Sequence, residues 1–196
     1  MATHIDTVAG SNIPKVSKRE FYASLRGGDL VFCSGAELLS KGIEGVTASP
    51  FSHVLMVWLP WPTCPEWLTL ESTDDKGVHV GRFGDYTDNY NGDLVLCRRP
   101  ALTQAQVVQQ LNVGFSLLDD NYDFIEEGSI LVRKIPTLSK LPAIKPSKDL
   151  YCSGLQQAIA QDTIPFKTYD SDWNTPEQDF IDPSVEDICC LMKGSK

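Results

Sequence analysis

The chain has 196 residues, 42% of them hydrophobic and 22% charged, a size and balance that suit one domain with its own core and leave two full domains cramped. Its 26 Asp and Glu outnumber its 17 Lys and Arg, for a net charge of -9. That field repels phosphate, which argues against nucleic acid or an anionic lipid surface as partner and favours small or neutral substrates.

The opening "MATHIDTVAGSNIPKVSKRE" is polar and aperiodic, so residues 1–18 are expected to form a flexible N-terminal arm or a short lead-in, with residues 19–196 as the domain. It carries no basic flank followed by an apolar run of signal-peptide length, and no stretch approaches the ~20 apolar residues that span a bilayer, so the expected location is cytoplasmic. From Gly28 the pattern turns to short apolar runs bounded by turn residues: "GDLVFCSG", "FSHVLMVWLP", "WLTLEST", "GVHVGRF" and "GDLVLCRR". Five strands lie too close together for crossover helices between them, which predicts a mainly antiparallel sheet, a meander or a small open barrel, and disfavours a parallel doubly wound fold.

Helical spacing follows. "TQAQVVQQLNVGFSLLD" opens on a Thr able to cap and places Val107, Leu111 and Phe115 about one turn apart. The stretch "VRKIPTLSKLPAIKPSKD" has three prolines and no sustained period, so about residues 132–148 are expected to be a loop insertion bordering a cleft. "LYCSGLQQAIAQD" resumes helical spacing through Leu155 and Ile159, and "NTPEQDFIDPSVEDICCLMK" reads as turn punctuation followed by a short final helix. The predicted class is α+β, an antiparallel sheet of about five strands packed against helices.

Six cysteines, at 33, 64, 97, 152, 189 and 190, are too few for a disulfide scaffold of this length and read as thiols. Neither CxxC nor HxxxH spacing occurs, so no metal site is expected, and no cofactor motif is visible. Cys33 and Cys97 sit alike in two "GDLVxC" strands, which suits apolar packing. Cys152 differs in opening a helix, where free backbone N–H groups and the macrodipole favour a thiolate.

A cysteine nucleophile needs a base and a group to hold that base. Of the three histidines, His4 lies in the arm and His79, between Val78 and Val80, is expected on a solvent face. His53 opens the apolar run "SHVLMVW", at a strand mouth that suits a base but equally suits a half-buried structural histidine. Glu71 closes "WLTL", where a carboxylate can accept from the imidazole, fix its tautomer and stabilise its charged form, or can simply be a solvated strand end. Trp58, Trp61 and Trp67 surround a proline-rich turn and suit either an aromatic pocket or the core, the core being the better place for Trp58.

Taken in order, "RGGDLVF", "SHVLMVW" with Glu71 after it, "NYDF" and "LYCSGL" resemble the circularly permuted branch of the NlpC-type papain-like superfamily, the YiiX and YaeF group of predicted amidases, in which the strand with His precedes the helix with Cys. The resemblance covers about residues 25–182, including "TPEQDF". It implies a papain-like fold and a catalytic triad of Cys152, His53 and Glu71 working through an acyl-cysteine, with Ser52, Tyr122 and Tyr151 at the substrate. Relatives commonly read "YCSEL", and Gly154 stands here in place of that glutamate. Similar scaffolds serve peptidases, amidases and lipid acyltransferases, so the implied partner is a small-molecule, peptide or lipid-amide substrate. An acyltransferase and a non-catalytic binding module are the alternatives to a hydrolase.

Overall fold

The computed structural model describes residues 13–34, 50–60, 63–120, 151–167 and 175–192. Within them, six strands form one sheet: β1 (Leu30–Cys33), β2 (His53–Trp58), β3 (Leu68–Thr73), β4 (Gly77–Arg82), β5 (Leu94–Arg98) and β6 (Glu186–Leu191). Their order is β4-β3-β2-β1-β5-β6, with every neighbouring pair antiparallel. The first four make the expected meander, and β5 returns to the free edge of β1.

The helices are α1 (Lys18–Ser24), α2 (Phe83–Asp88), α3 (Gln104–Ser116), α4 (Cys152–Ala160) and α5 (Pro176–Phe180). Three of them begin on a reciprocal cap: Ser17 with Glu20, Thr103 with Gln106, and Thr175 with Gln178. Alternation along the strands sends side chains to two cores, one on each face. Leu30, Phe32, Val54, Met56, Leu70 and Val95 pack on one face against Leu155 and Ile159 of α4. Val31, Cys33, Leu55, Val57 and Leu96 pack on the other against Phe21 and Leu25 of α1 and Phe83 of α2. Both faces are covered, which explains why β1 and β5 read as unbroken apolar runs.

Three expectations change. The sheet has six strands rather than about five, because "EDICCL" is β6 and not a short final helix. Cys189 and Leu191 enter one core and Cys190 the other, so the segment completes both faces and pairs with the open edge of β5. Residues 13–16 are not a free arm: Cys190 N–H donates to Pro14 O at 2.8 Å and Val16 N–H to Cys190 O at 3.0 Å, and Ser17 then caps α1. The segment after Arg82 is a helix, held by Phe83 at 0% exposure in the core. Residues 1–12 and the expected loop at 132–148 lie outside the described residues.

Candidate active site

α4 presents Cys152 as its first residue, with Tyr151 as an extended cap at φ -82° and ψ 173°. Leu155 and Ile159, almost fully buried, press the helix onto the sheet. The amide of Cys152, at the helix start, has no intrahelical acceptor. Gly154 leaves room for the Tyr151 ring: a Cβ there would sit 3.1 Å from Tyr151 Cε1, so any longer side chain would push on the ring. Tyr151 itself is 6% exposed and forms part of the packing around the helix start.

His53 is the first residue of β2. It pairs with Cys33 on β1, and the Ser52 amide before it donates to Cys33 O at 3.0 Å, which fixes the strand mouth. The half-buried Ser52 hydroxyl also donates to Cys33 O, at 3.4 Å. The β2–β3 ladder runs only from Met56↔Leu70 to Trp58↔Leu68. At its last pair the Leu70 carbonyl also accepts from Gln156 Nε2 of α4, at 3.5 Å. His53 lies beyond that ladder, and there its imidazole meets Glu71 of β3, at 3.0 Å from Nε2 to Oε2, and comes close enough to the Cys152 thiol for the sulfur to favour its charged form. With Nε2 given to Glu71, Nδ1 is the nitrogen left for sulfur.

Glu71 is 2% exposed and stands within β3 rather than at its end, so the solvated strand-end reading does not hold. Thr69 Oγ1 donates to Oε1 at 2.6 Å and the Tyr86 hydroxyl donates to Oε2. Burial pushes the carboxyl up, but the hydrogen bond and charge of His53, with the donors from Thr69 and Tyr86, hold it well below the usual range. Burial likewise disfavours the imidazolium of His53, yet Cys152 and Glu71 outweigh it and raise the group far above its ordinary value. Gly81, across β4, makes the arrangement possible: a Cβ there would fall 2.5 Å from Thr69 Oγ1 and 2.7 Å from Glu71 Oε1.

His79 is not a solvent-face residue. The β3–β4 register sets it opposite Glu71, its side chain is 19% exposed, and its Nε2 is 3.9 Å from Glu71 Oε1. Its Nδ1 lies 3.0 Å from Gly77 O, an acceptor only, so Nδ1 carries a proton. Its neighbour Val80, on the other face, is 39% exposed. Beside these residues a cavity of about 330 Å³ is lined by Glu71, Thr73, His79, Gly81, Tyr86 and Tyr90.

The remaining candidates separate. Trp58 packs with the Leu70 core, edge-on to Phe115 at 5.2 Å, whereas Trp67 packs with the opposite core, so the two do not share a pocket. Cys33 and Cys97 are fully buried on opposite faces, and burial pushes both thiols up. All six cysteines are free thiols. Tyr122 and Trp61 lie outside the described residues. Sequence reading missed Thr69, Gly81 and Tyr86. The alternation of "TLE" puts Thr69 on the face of Glu71 and was legible, but Tyr86 is brought in only by α2.

The fold was compared with known structures. A crystal structure of YiiX from Escherichia coli O157:H7, described as a metalloprotein, superposes with a TM-score of 0.53 over 84% of this chain and 96% of its own, at 16% identity. The chain shares its fold with YiiX. No protein-family model and no curated protein matches the sequence. At this identity the likeness to YiiX concerns architecture alone: a mixed α+β arrangement around an antiparallel sheet. Among the described residues no helix is long and apolar enough to cross a membrane.

Proposed function

We propose that this chain is a cysteine hydrolase of amide or ester bonds with a permuted papain-like site. Cys152 is the nucleophile, His53 the base and Glu71 the residue that orients the base. The observation that carries the reading is one imidazole set between a buried carboxylate, 3.0 Å from its Nε2, and a thiol at a helix start that favours its charged form.

The chemistry follows from those contacts. His53 takes the thiol proton, or already holds it as an ion pair, and its imidazolium faces Glu71. The sulfur attacks the carbonyl carbon, and the oxygen that gains charge is met by the amide of Cys152, which has no acceptor within its own helix. As the carbon–nitrogen or carbon–oxygen bond breaks, His53 returns the proton to the leaving group. Water, deprotonated by the same imidazole, then attacks the acyl-cysteine and releases the acid and the thiol. Exclusion of water in favour of a bound amine or hydroxyl turns the same intermediate toward acyl transfer.

The metalloprotein description of YiiX raises the question of a metal here. Among the described residues no group of three or more His, Cys, Asp or Glu is disposed to hold one. His53 Nε2 and the Tyr86 hydroxyl both point at Glu71 Oε2 rather than leaving it for an ion, so no step is routed through a metal.

An electrophilic thiol probe, read by intact mass and peptide mapping, tests the reading without a known substrate. Single labelling at Cys152, abolished in C152A, is the expected result. Labelling of Cys64 in preference to Cys152 leaves a non-catalytic binding module as the better account.

A further inference from the structure

Tyr86 reaches the site from α2, an element that contributes neither the thiol nor the imidazole. Its ring lies parallel to that of His53, at 6° and 6.1 Å between centroids. Its hydroxyl donates to Glu71 Oε2, the same oxygen that faces His53 Nε2. The ring is held from behind by Phe83, stacked at 6.5 Å, and Tyr90, tilted at 5.5 Å. Burial and the Glu71 charge push ionisation of the phenol far up, so the hydroxyl remains a donor.

We infer that Tyr86 is a positioning residue for the His53–Glu71 pair, its hydroxyl fixing the carboxylate and its ring bounding the imidazole. The inference rests on the hydrolase reading. The geometry distinguishes this role from packing alone, because an apolar ring would fill the same volume without occupying the oxygen that His53 uses. With Thr69 on Oε1 and Tyr86 on Oε2, Glu71 is anchored at both oxygens independently of His53. The carboxylate is therefore already aimed when the imidazole takes up a proton.

The test is site-resolved alkylation of Cys152 by iodoacetamide across pH in the full chain, comparing wild type, Y86F, E71Q and the double variant. Y86F keeps the ring and deletes only the donor. It should slow Cys152 about tenfold near neutral pH, the scale of one hydrogen bond to a charged acceptor. It should also move the acid limb of the profile upward, since a carboxylate with one donor fewer protonates at higher pH. In the E71Q background the same change should add less than about twofold, because the group through which Tyr86 acts is gone. A Y86F profile coincident with wild type overturns the inference alone, as does full additivity with E71Q. Wild-type Cys152 no more reactive than Cys64 overturns the hydrolase reading and the inference with it. If Y86F does not fold, wild-type NMR decides: a slowly exchanging Tyr86 hydroxyl proton near the His53 ring protons supports the role, and a freely exchanging one overturns it.

Discussion

His53 Nε2 lies 3.0 Å from Glu71 Oε2, although β2 and β3 pair only over the three positions at their other end. The contact is thus made by side chains across a part of the sheet where the ladder has stopped. Glu71 must be aimed by something other than strand pairing with β2, and Thr69, Tyr86 and the space left by Gly81 do this.

Removing the charge of Glu71 tests that aim. In E71Q the amide cannot accept from every donor that the carboxylate satisfies, and one donor will face an NH2 group. Cys152 alkylation near neutral pH should fall by roughly a hundredfold, with a loss of ~1–3 kcal/mol in chemical denaturation. Unchanged alkylation would sink the orienting role.

G81A tests the space. The added methyl meets Thr69 Oγ1 and Glu71 Oε1 well inside contact distance, so one of them must move. The expected cost in urea unfolding is ~1–3 kcal/mol, as for an overpacked site. Thiol reactivity should drop with it, whereas a G81A chain that labels as fast as wild type would show that Glu71 need not stay where it is.

The stability of the pair has a pH window. Glu71, held down to about 2 from an ordinary 4.5, contributes stability above about 4.5 that is lost as pH falls toward 2. His53, raised from 6.5 to about 10, contributes below about 6.5 and loses its contribution as pH rises through 10. Their joint contribution is therefore largest between about 4.5 and 6.5. Melting scans of wild type minus E71Q should peak there, and a difference independent of pH would count against the coupling.

Asp179 makes an opposite prediction. It is fully buried on α5, accepts from Gln157 Nε2 of α4 at 3.0 Å, and among the described residues neither its other oxygen nor Gln157 Oε1 has a partner. Burial raises it from 3.8 to about 8, so the folded chain keeps a proton that the unfolded chain has lost. Stability should decline between about pH 4 and pH 8 on this account. D179N, whose amide can both accept and donate, should flatten that decline and be more stable near pH 8 by a few kcal/mol at most, on the order of the shift. Parallel pH curves for the two chains would refute the assignment.

L155A should cost ~2–5 kcal/mol in equilibrium unfolding, since Leu155 is fully buried between α4 and the sheet and its removal leaves a cavity beneath the Cys152 helix. A smaller loss would mean that α4 is held chiefly at its ends.

Much of the sheet was legible because its strands are short apolar runs closed by turn residues, and the period of two is local information. α3 was legible for the same reason, through its cap and its spacing. The reading failed where an element takes its state from a neighbour: "EDICCL" becomes β6 because the edge of β5 is open, and residues 13–16 attach to β6 in turn. At the site, residue types and chain order singled out Cys152, His53 and Glu71. The short β2–β3 ladder, the inward turn of His79 and the arrival of Tyr86 were decided only by tertiary structure. Each depends on register or on packing between segments distant in sequence, and hydrophobic periodicity carries no record of either.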